Sequence, residues 1–341
     1  MIDITRMFKA RKRKKRFFYI AFFVMISVVA CSTIDDSDLV PPTVMQDSSL
    51  PSLKINGTKL HLETYGDPTN PVIIALHGGP GSDAKALHSL VETYNAYNLT
   101  DNYYLVLWDQ RGAGLSQRHN DDSVLSMAVY LQDLEALVDN FAPGREVILL
   151  GHSFGGVYAA MYMDKHPDRI AGAILLEPGE FSTDLSKQKP ETSDNIFDEW
   201  ISDLLWARQF IDMNNHEKAD YIMTIPLIAN NPSQPYPLNR FGAAVFNFLL
   251  GELLGDGVNI DYTTNLNLVT PEVLFIVGGA DSNLGLGKEF QDIQRQKFTS
   301  SRIEVVPNAA HDDIIWSKAS KSVPIMRSYL ESLDLSGAIA P

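Results

Sequence analysis

Gly151-His152-Ser153-Phe154-Gly155-Gly156 follows directly on the β-type run Glu146-Val147-Ile148-Leu149-Leu150. The run has the length and branched content of a buried strand, and Val157 to Lys165 behind the motif is compatible with a helix. A strand, a G-x-S-x-G turn and a helix in immediate succession form a nucleophile elbow, in which the chain reverses so sharply that strand and helix nearly touch. Glycine at 151 and 155 suits that approach, because a Cβ at either place would run into neighbouring backbone. Ser153 is then held at the apex in a strained conformation, its hydroxyl presented above a sheet edge. A plain Gly/Ser turn would need neither the strand nor the helix.

Upstream, Val72-Ile73-Ile74-Ala75-Leu76 reads as a second buried strand and runs straight into His77-Gly78-Gly79-Pro80-Gly81. A loop so poor in side chains lets backbone N–H groups approach a ligand closely. Before it, Leu53 to Tyr65 alternates across Asn56-Gly57, the signal of a hairpin with a tight turn. After it, Tyr103 to Asp109 is a strand followed by Gln110-Arg111-Gly112-Ala113-Gly114-Leu115-Ser116, where Asp109 and Arg111 are expected to pair and fix the loop. An amphipathic helix with Leu125, Val129, Leu131, Leu134 and Leu137 on its apolar positions leads back to the elbow strand.

Downstream, Ile170 to Leu176 is a strand ending in Glu177-Pro178-Gly179-Glu180. From 178 to 267 the hydrophobic period becomes helical. One helix carries Ile196, Phe197, Trp200, Ile201, Leu204 and Leu205, and a second runs from Arg240 to about Leu254. Pro271 to Val277 and Arg302 to Val306 restore the sheet. The first is followed by Gly278-Gly279-Ala280-Asp281 and the second by Pro307-Asn308-Ala309-Ala310-His311. A closing helix from about Pro324 to Leu333 has the proline in its first turn.

Taken together, the HGGPG loop, Asp-Gln-Arg-Gly-x-Gly-x-Ser at 109 to 116 and the G-x-S-x-G-G elbow resemble the proline iminopeptidase family of serine peptidases, within the α/β-hydrolase superfamily. The resemblance covers residues 53 to 180 well and the C-terminal part in outline. It implies an α/β fold with a mostly parallel central sheet flanked by helices. Residues 52–177 and 268–341 would form that core, and 178–267 an inserted all-helical cap. The Ser, acid, His order of such enzymes gives Ser153, Asp281 and His311 as the catalytic set. Asp312 and Asp313 are the rival acids, but adjacency in a loop points them away from the imidazole they follow. The oxyanion donors would be the N–H groups of Gly79 and Phe154, and His77 would be a structural residue of its loop.

A serine hydroxyl is a poor nucleophile at neutral pH. His311 would therefore take its proton, with a carboxylate fixing the imidazole tautomer. In this family cap carboxylates bind the free α-amine of a peptide, and 178–267 carries 13 Asp/Glu against five Lys/Arg. Glu177 and Glu180, at a strand end beside the nucleophile strand, are the first candidates for that contact. The elbow departs from the family at His152 and Phe154, where Gly and Trp are usual, and so moves toward ordinary esterases. An esterase on small or hydrophobic substrates is the alternative to an aminopeptidase. A non-catalytic binding protein on the same scaffold would not need an intact serine, acid and histidine set.

The composition narrows the partners. Of the 28 Lys/Arg, eight lie in residues 1 to 16 with one of the 42 Asp/Glu, so the remainder carries 20 against 41, a balance of −21. A body so acidic repels phosphate backbones, which excludes nucleic acid as a partner and leaves a peptide or small-molecule substrate. The single cysteine, Cys31, allows neither an intramolecular disulfide nor a thiolate metal cluster. Histidine spacings and glycine patterns give no metal or cofactor site, so the chemistry is expected to run on side chains alone. Residues 1–31 read as an export signal: Arg11 to Arg16 is basic, and Phe17 to Ala30 is an uncharged apolar run of 14 residues. It ends in Val28-Val29-Ala30-Cys31, which resembles a bacterial lipobox, so Cys31 is the expected lipid anchor of an exported cell-envelope lipoprotein. A signal anchor is the alternative route to the membrane. Ser32 to Pro51, polar with Pro41-Pro42, reads as a flexible tether.

Overall fold

The computed structural model describes residues 39–189, 212, 214–230, 234–255, 257–280 and 286–339. The apolar runs become a sheet of eight strands: β1 (Ser52–Ile55), β2 (Thr58–Tyr65), β3 (Val72–Leu76), β4 (Tyr104–Trp108), β5 (Val147–His152), β6 (Ile170–Leu176), β7 (Val273–Gly278) and β8 (Ser301–Val306). Their order is β1-β2-β4-β3-β5-β6-β7-β8, with the elbow strand β5 between β3 and β6. The hairpin β1–β2 and the β2–β4 pair are antiparallel, and every pair from β4 to β8 is parallel. Asn56 and Gly57 both take positive φ, 43° and 73°, as a two-residue hairpin turn requires.

Buried on both faces, the central strands need apolar side chains at every position, which is why they read as continuous runs rather than alternations. Successive residues feed two separate cores. Val147 and Leu149 pack into the core that contains α1 (Met127–Phe141) and α2 (Phe154–Lys165). Ile148 and Leu150 pack into the one beneath α6 (Ala319–Leu330). Helix α1 is capped by the Ser126 hydroxyl, which accepts from the Val129 N–H, and it buries Met127, Tyr130, Leu134, Leu137 and Val138. Tyr130 joins this stripe, and half-buried Leu131 packs against the same core. Helix α6 starts five residues before the expected Pro324, which sits inside it.

Residues 178–267 leave the sheet and return to it, and the ends of the excursion are tied together. Thr183 N–H donates to the Ile260 carbonyl and Tyr262 N–H to that of Phe181. Among the described residues this insertion contains one helical turn, Thr183–Ser186, and two longer helices, α3 (His216–Asn230) and α4 (Ala243–Leu254). The helix expected around Ile196 to Leu205 lies outside the described residues. The remaining element, α5 (Lys288–Gln294), packs on β7 and β8.

A buried ion cluster fixes the insertion to the core. Asp220 of α3 accepts from Arg240 Nε at 2.6 Å, from Arg118 Nε at 2.9 Å and from the Ala243 N–H that begins α4. Arg118 also donates to the carbonyls of Ala113, Gly114 and Ser116, so one guanidinium joins the 109–116 loop to the insertion. Pairing mainly offsets the desolvation of these charges. Removing Asp220 would strand two buried guanidinium groups, a cost of about 3–5 kcal/mol.

Two expectations are corrected. Asp109 and Arg111 do not pair with each other. The planar fork of Arg111 reaches Asp133 on α1 with two contacts of 2.7 Å. The shorter Asp109 is filled by His61 Nδ1 and by the N–H groups of Ala84 and Leu115. The tether is also shorter than 32–51, because the compact unit begins at Val40. Val40 and Val44 of this stretch are buried. Val44 N–H donates to the Leu115 carbonyl, and its own carbonyl accepts from Lys59 Nζ.

Candidate active site

Parallel register brings the strand ends that matter to one edge. His152 of β5 lies opposite Leu176 of β6, and Leu176 opposite Ile276 of β7, so Ser153, Glu177 and Val277 emerge side by side. Ser153 has φ 55° and ψ −118°, a conformation costing a non-glycine residue about 1–3 kcal/mol, and α2 starts at the next residue. Main-chain bonds hold it there. Its N–H donates to the Leu176 carbonyl, and its own carbonyl accepts from the N–H groups of Gly156 and Gly179. The two flanking glycines are required by contact: a Cβ on Gly151 would lie 2.4 Å from the Gly155 oxygen, and one on Gly155 2.0 Å from that of Leu76.

The HGGPG loop crosses directly against the elbow. A Cβ on Gly78 would sit 3.2 Å from the Ser153 Cβ, and Gly79 has φ 119°, open only to glycine at low cost. Both ring nitrogens of His77 are committed to the loop: Nδ1–H donates to the Gly78 carbonyl and Nε2 accepts from the Gln110 N–H. His77 is buried and structural, as expected. Phe154 is buried against Tyr130 and Tyr158.

His311 arrives on the loop after β8, and its Nδ1 is hydrogen-bonded to Glu177 Oε2 at 2.7 Å. The other oxygen of Glu177 accepts from the Gly278 N–H at 2.6 Å, and the side chain is buried. The carboxylate on the imidazole is thus Glu177. Asp281, the acid expected from the sequence, lies outside the described residues. Asp313 is occupied by the Ala310 N–H and the Ser317 hydroxyl, and Asp312 lies 3.7 Å from His152 Nε2. Glu177 is therefore not free to bind an amine, and Glu180 is paired with Lys189 at 2.8 Å. The signal that could have found Glu177 is its position: a carboxylate immediately after the apolar strand that pairs with the elbow strand, in the same Ser, acid, His order. Cys31 also lies outside the described residues.

Burial alone would lower the pKa of His311. The hydrogen bond to Glu177, with the negative charges of Asp312 and Glu177, outweighs it and raises the value above the ordinary 6.5. A folded-state pKa above the unfolded one means that stability from this group is fully present below about pH 6.5 and is lost as pH rises through the raised value. Proton uptake has the opposite sign, since an imidazole must be neutral to take a proton. The rate of serine modification by a fluorophosphonate is expected to fall on the acid side with a midpoint above pH 6.5, and to fall at lower pH in Glu177→Gln. A wild-type midpoint at or below 6.5 would contradict this account of the pair.

A cavity of about 920 Å³ opens between α4 and the segment before α1, lined among others by Asn120, Asp122, Asn247, Phe248, Glu252 and Tyr262. Two carboxylates line it, with neither Lys nor Arg. Ser153, Glu177 and His311 are not in its wall.

Residues 71–222 match the family described as alpha/beta hydrolase fold. A proline iminopeptidase of Pestalotiopsis fici is 28% identical over 304 residues, which is 82% of this chain and 98% of that protein. The chain has the α/β-hydrolase fold and is similar to proline iminopeptidases over most of its length. Solved structures of the same fold include the proline iminopeptidase-related protein of Thermus thermophilus, with a TM-score of 0.55 at 21% identity over 83% of this chain and 97% of that one. An esterase of Thermogutta terrifontis superposes with a TM-score of 0.58 at 20% identity over the same shares of the two chains. Among the described residues of this hydrolase, no helix is long and apolar enough to cross a membrane.

Proposed function

We propose that this protein is a serine aminopeptidase of the proline iminopeptidase type that works through Ser153, Glu177 and His311. The observation that carries the reading is the 2.7 Å bond between His311 and a buried carboxylate, beside a serine held at φ 55°. His311 takes the proton of Ser153 as the hydroxyl attacks a carbonyl carbon. Glu177 keeps the remaining proton on Nδ1 and stabilises the imidazolium. The N–H groups of Gly79 and Phe154 receive the oxyanion, and His311 returns its proton to the leaving amine. Water, activated by the same imidazole, then releases the acyl group.

The likeness to a proline iminopeptidase along nearly its whole length favours an N-terminal residue as the acyl part. Esterase activity on small or hydrophobic acyl groups is the second reading, supported by His152 and Phe154 at the elbow and by the likeness in fold to an esterase. Turnover of prolyl-naphthylamide against nitrophenyl esters separates the two. The peptidase reading requires amide turnover, and ester turnover alone would leave only the second.

The N-terminal 31 residues support attachment to a membrane through lipidated Cys31, the only cysteine in the sequence. Cys31→Ser is expected to move the protein out of the membrane fraction, and retention there would favour a signal anchor.

A further inference from the structure

We propose that His152 is a positioning residue, whose Nε2–H holds the main-chain carbonyl of His311 and so fixes the loop carrying the base to the strand carrying the nucleophile. The inference rests on the reading of Ser153 and His311 as nucleophile and base. It gives a task to one of the two residues by which this elbow differs from those of the resembling family.

The pleat of β5 decides where His152 points. Side chains two apart share a face, so position 152 falls on the side of Ile148 and Leu150, whose core also takes Ala309, Ile314 and Ile315 from the His311 loop. His152 is buried there, with its ring centroid 4.9 Å from that of His311 and the planes tilted by 40°. Its Nε2 lies 3.2 Å from the His311 carbonyl oxygen. A carbonyl can only accept, so Nε2 carries the proton and the tautomer is determined. Among the described residues no other group donates to that oxygen. The opposite edge of the ring faces the HGGPG loop: a Cβ on Gly78 would meet Nδ1 at 3.3 Å. One imidazole therefore touches the elbow, the oxyanion loop and the base loop together.

Burial, with the neighbouring His311 second, depresses the pKa of His152 to about 4. It stays neutral while His311 works, and no second positive charge opposes the imidazolium. Asp312 Oδ1, at 3.7 Å from Nε2, is beyond hydrogen-bond reach and leaves the carbonyl as the partner.

Two roles predict opposite rankings. If His152 only fills space, Phe, which keeps a ring, should serve better than Gln. If the N–H is what matters, Gln, whose terminal amide reaches about as far as Nε2, should serve better than Phe. Displacing a reacting group by about 1 Å costs about 100-fold in rate. His152→Phe is therefore expected to lower kcat and the rate of fluorophosphonate modification of Ser153 by about 100-fold, with KM changed little. His152→Gln should recover most of the loss. Should the Phe variant not melt cooperatively, His152→Leu takes its place in the same comparison with Gln. Phe or Leu equal to wild type, or Gln the worst of the set, would overturn the proposal. Wild-type protein that is not modified at Ser153 would overturn the parent reading, and this one with it.

Discussion

Ser153→Ala is expected to lower turnover by about a million-fold while leaving the melting temperature unchanged. Every hydrogen bond that holds residue 153 in place is made by its main chain, and alanine keeps the Cβ that the site already accommodates. Only the hydroxyl is lost, and with it the covalent path. In serine proteases, loss of the nucleophile alone costs about as much as loss of the whole triad. The remaining acceleration, about 10³–10⁴-fold over water, comes from oxyanion donors and binding. A variant that retained more than a few per cent of wild-type turnover would place the chemistry elsewhere.

Glu177→Gln is expected to cost about 10⁴-fold. The change is nearly isosteric, and the Gln oxygen can still accept from the Gly278 N–H. Its amide NH₂ then faces Nδ1 of His311 and can only donate. Nδ1 becomes an acceptor, the proton moves to Nε2, and the nitrogen that should take the serine proton is already occupied. Asp281→Asn leaves the bonded carboxylate untouched and is expected to change turnover by no more than a few-fold. Equal losses in the two variants, or loss in Asp281→Asn alone, would return the acid role to residue 281.

That exchange marks the boundary of what the sequence discloses. The buried runs of β3, β5, β6 and β7, the Asn56-Gly57 turn and the glycines of the elbow are legible because each reflects a local constraint: burial on both faces, positive φ, or a backbone approach with no room for a Cβ. The positions of Ser153 and His311 are legible because their motifs follow the strands that carry them. The carboxylate that meets the imidazole is not, since the Ser, acid, His order admits a carboxylate after β6 as well as after β7. Only the neighbouring of β5 and β6, with the positive φ of 37° at Glu177, turns that side chain toward His311. Pairings between residues close in sequence mislead for a related reason. Asp109 and Arg111 are two apart, but one is filled by loop N–H groups and the other reaches a helix. Val40 and Val44 show the same limit on a smaller scale, because their burial and the hydrogen bonds of the Pro41 and Val44 carbonyls and the Val44 N–H hold this part of the stretch on the domain.

The most direct test of the account is mass spectrometry of the intact protein after fluorophosphonate treatment, with the modified peptide mapped. The geometry of Ser153, Glu177 and His311 predicts a single adduct on Ser153, absent from Ser153→Ala and formed at least about 10³-fold more slowly in Glu177→Gln. No adduct on the wild type, or an adduct on another residue, would contradict it.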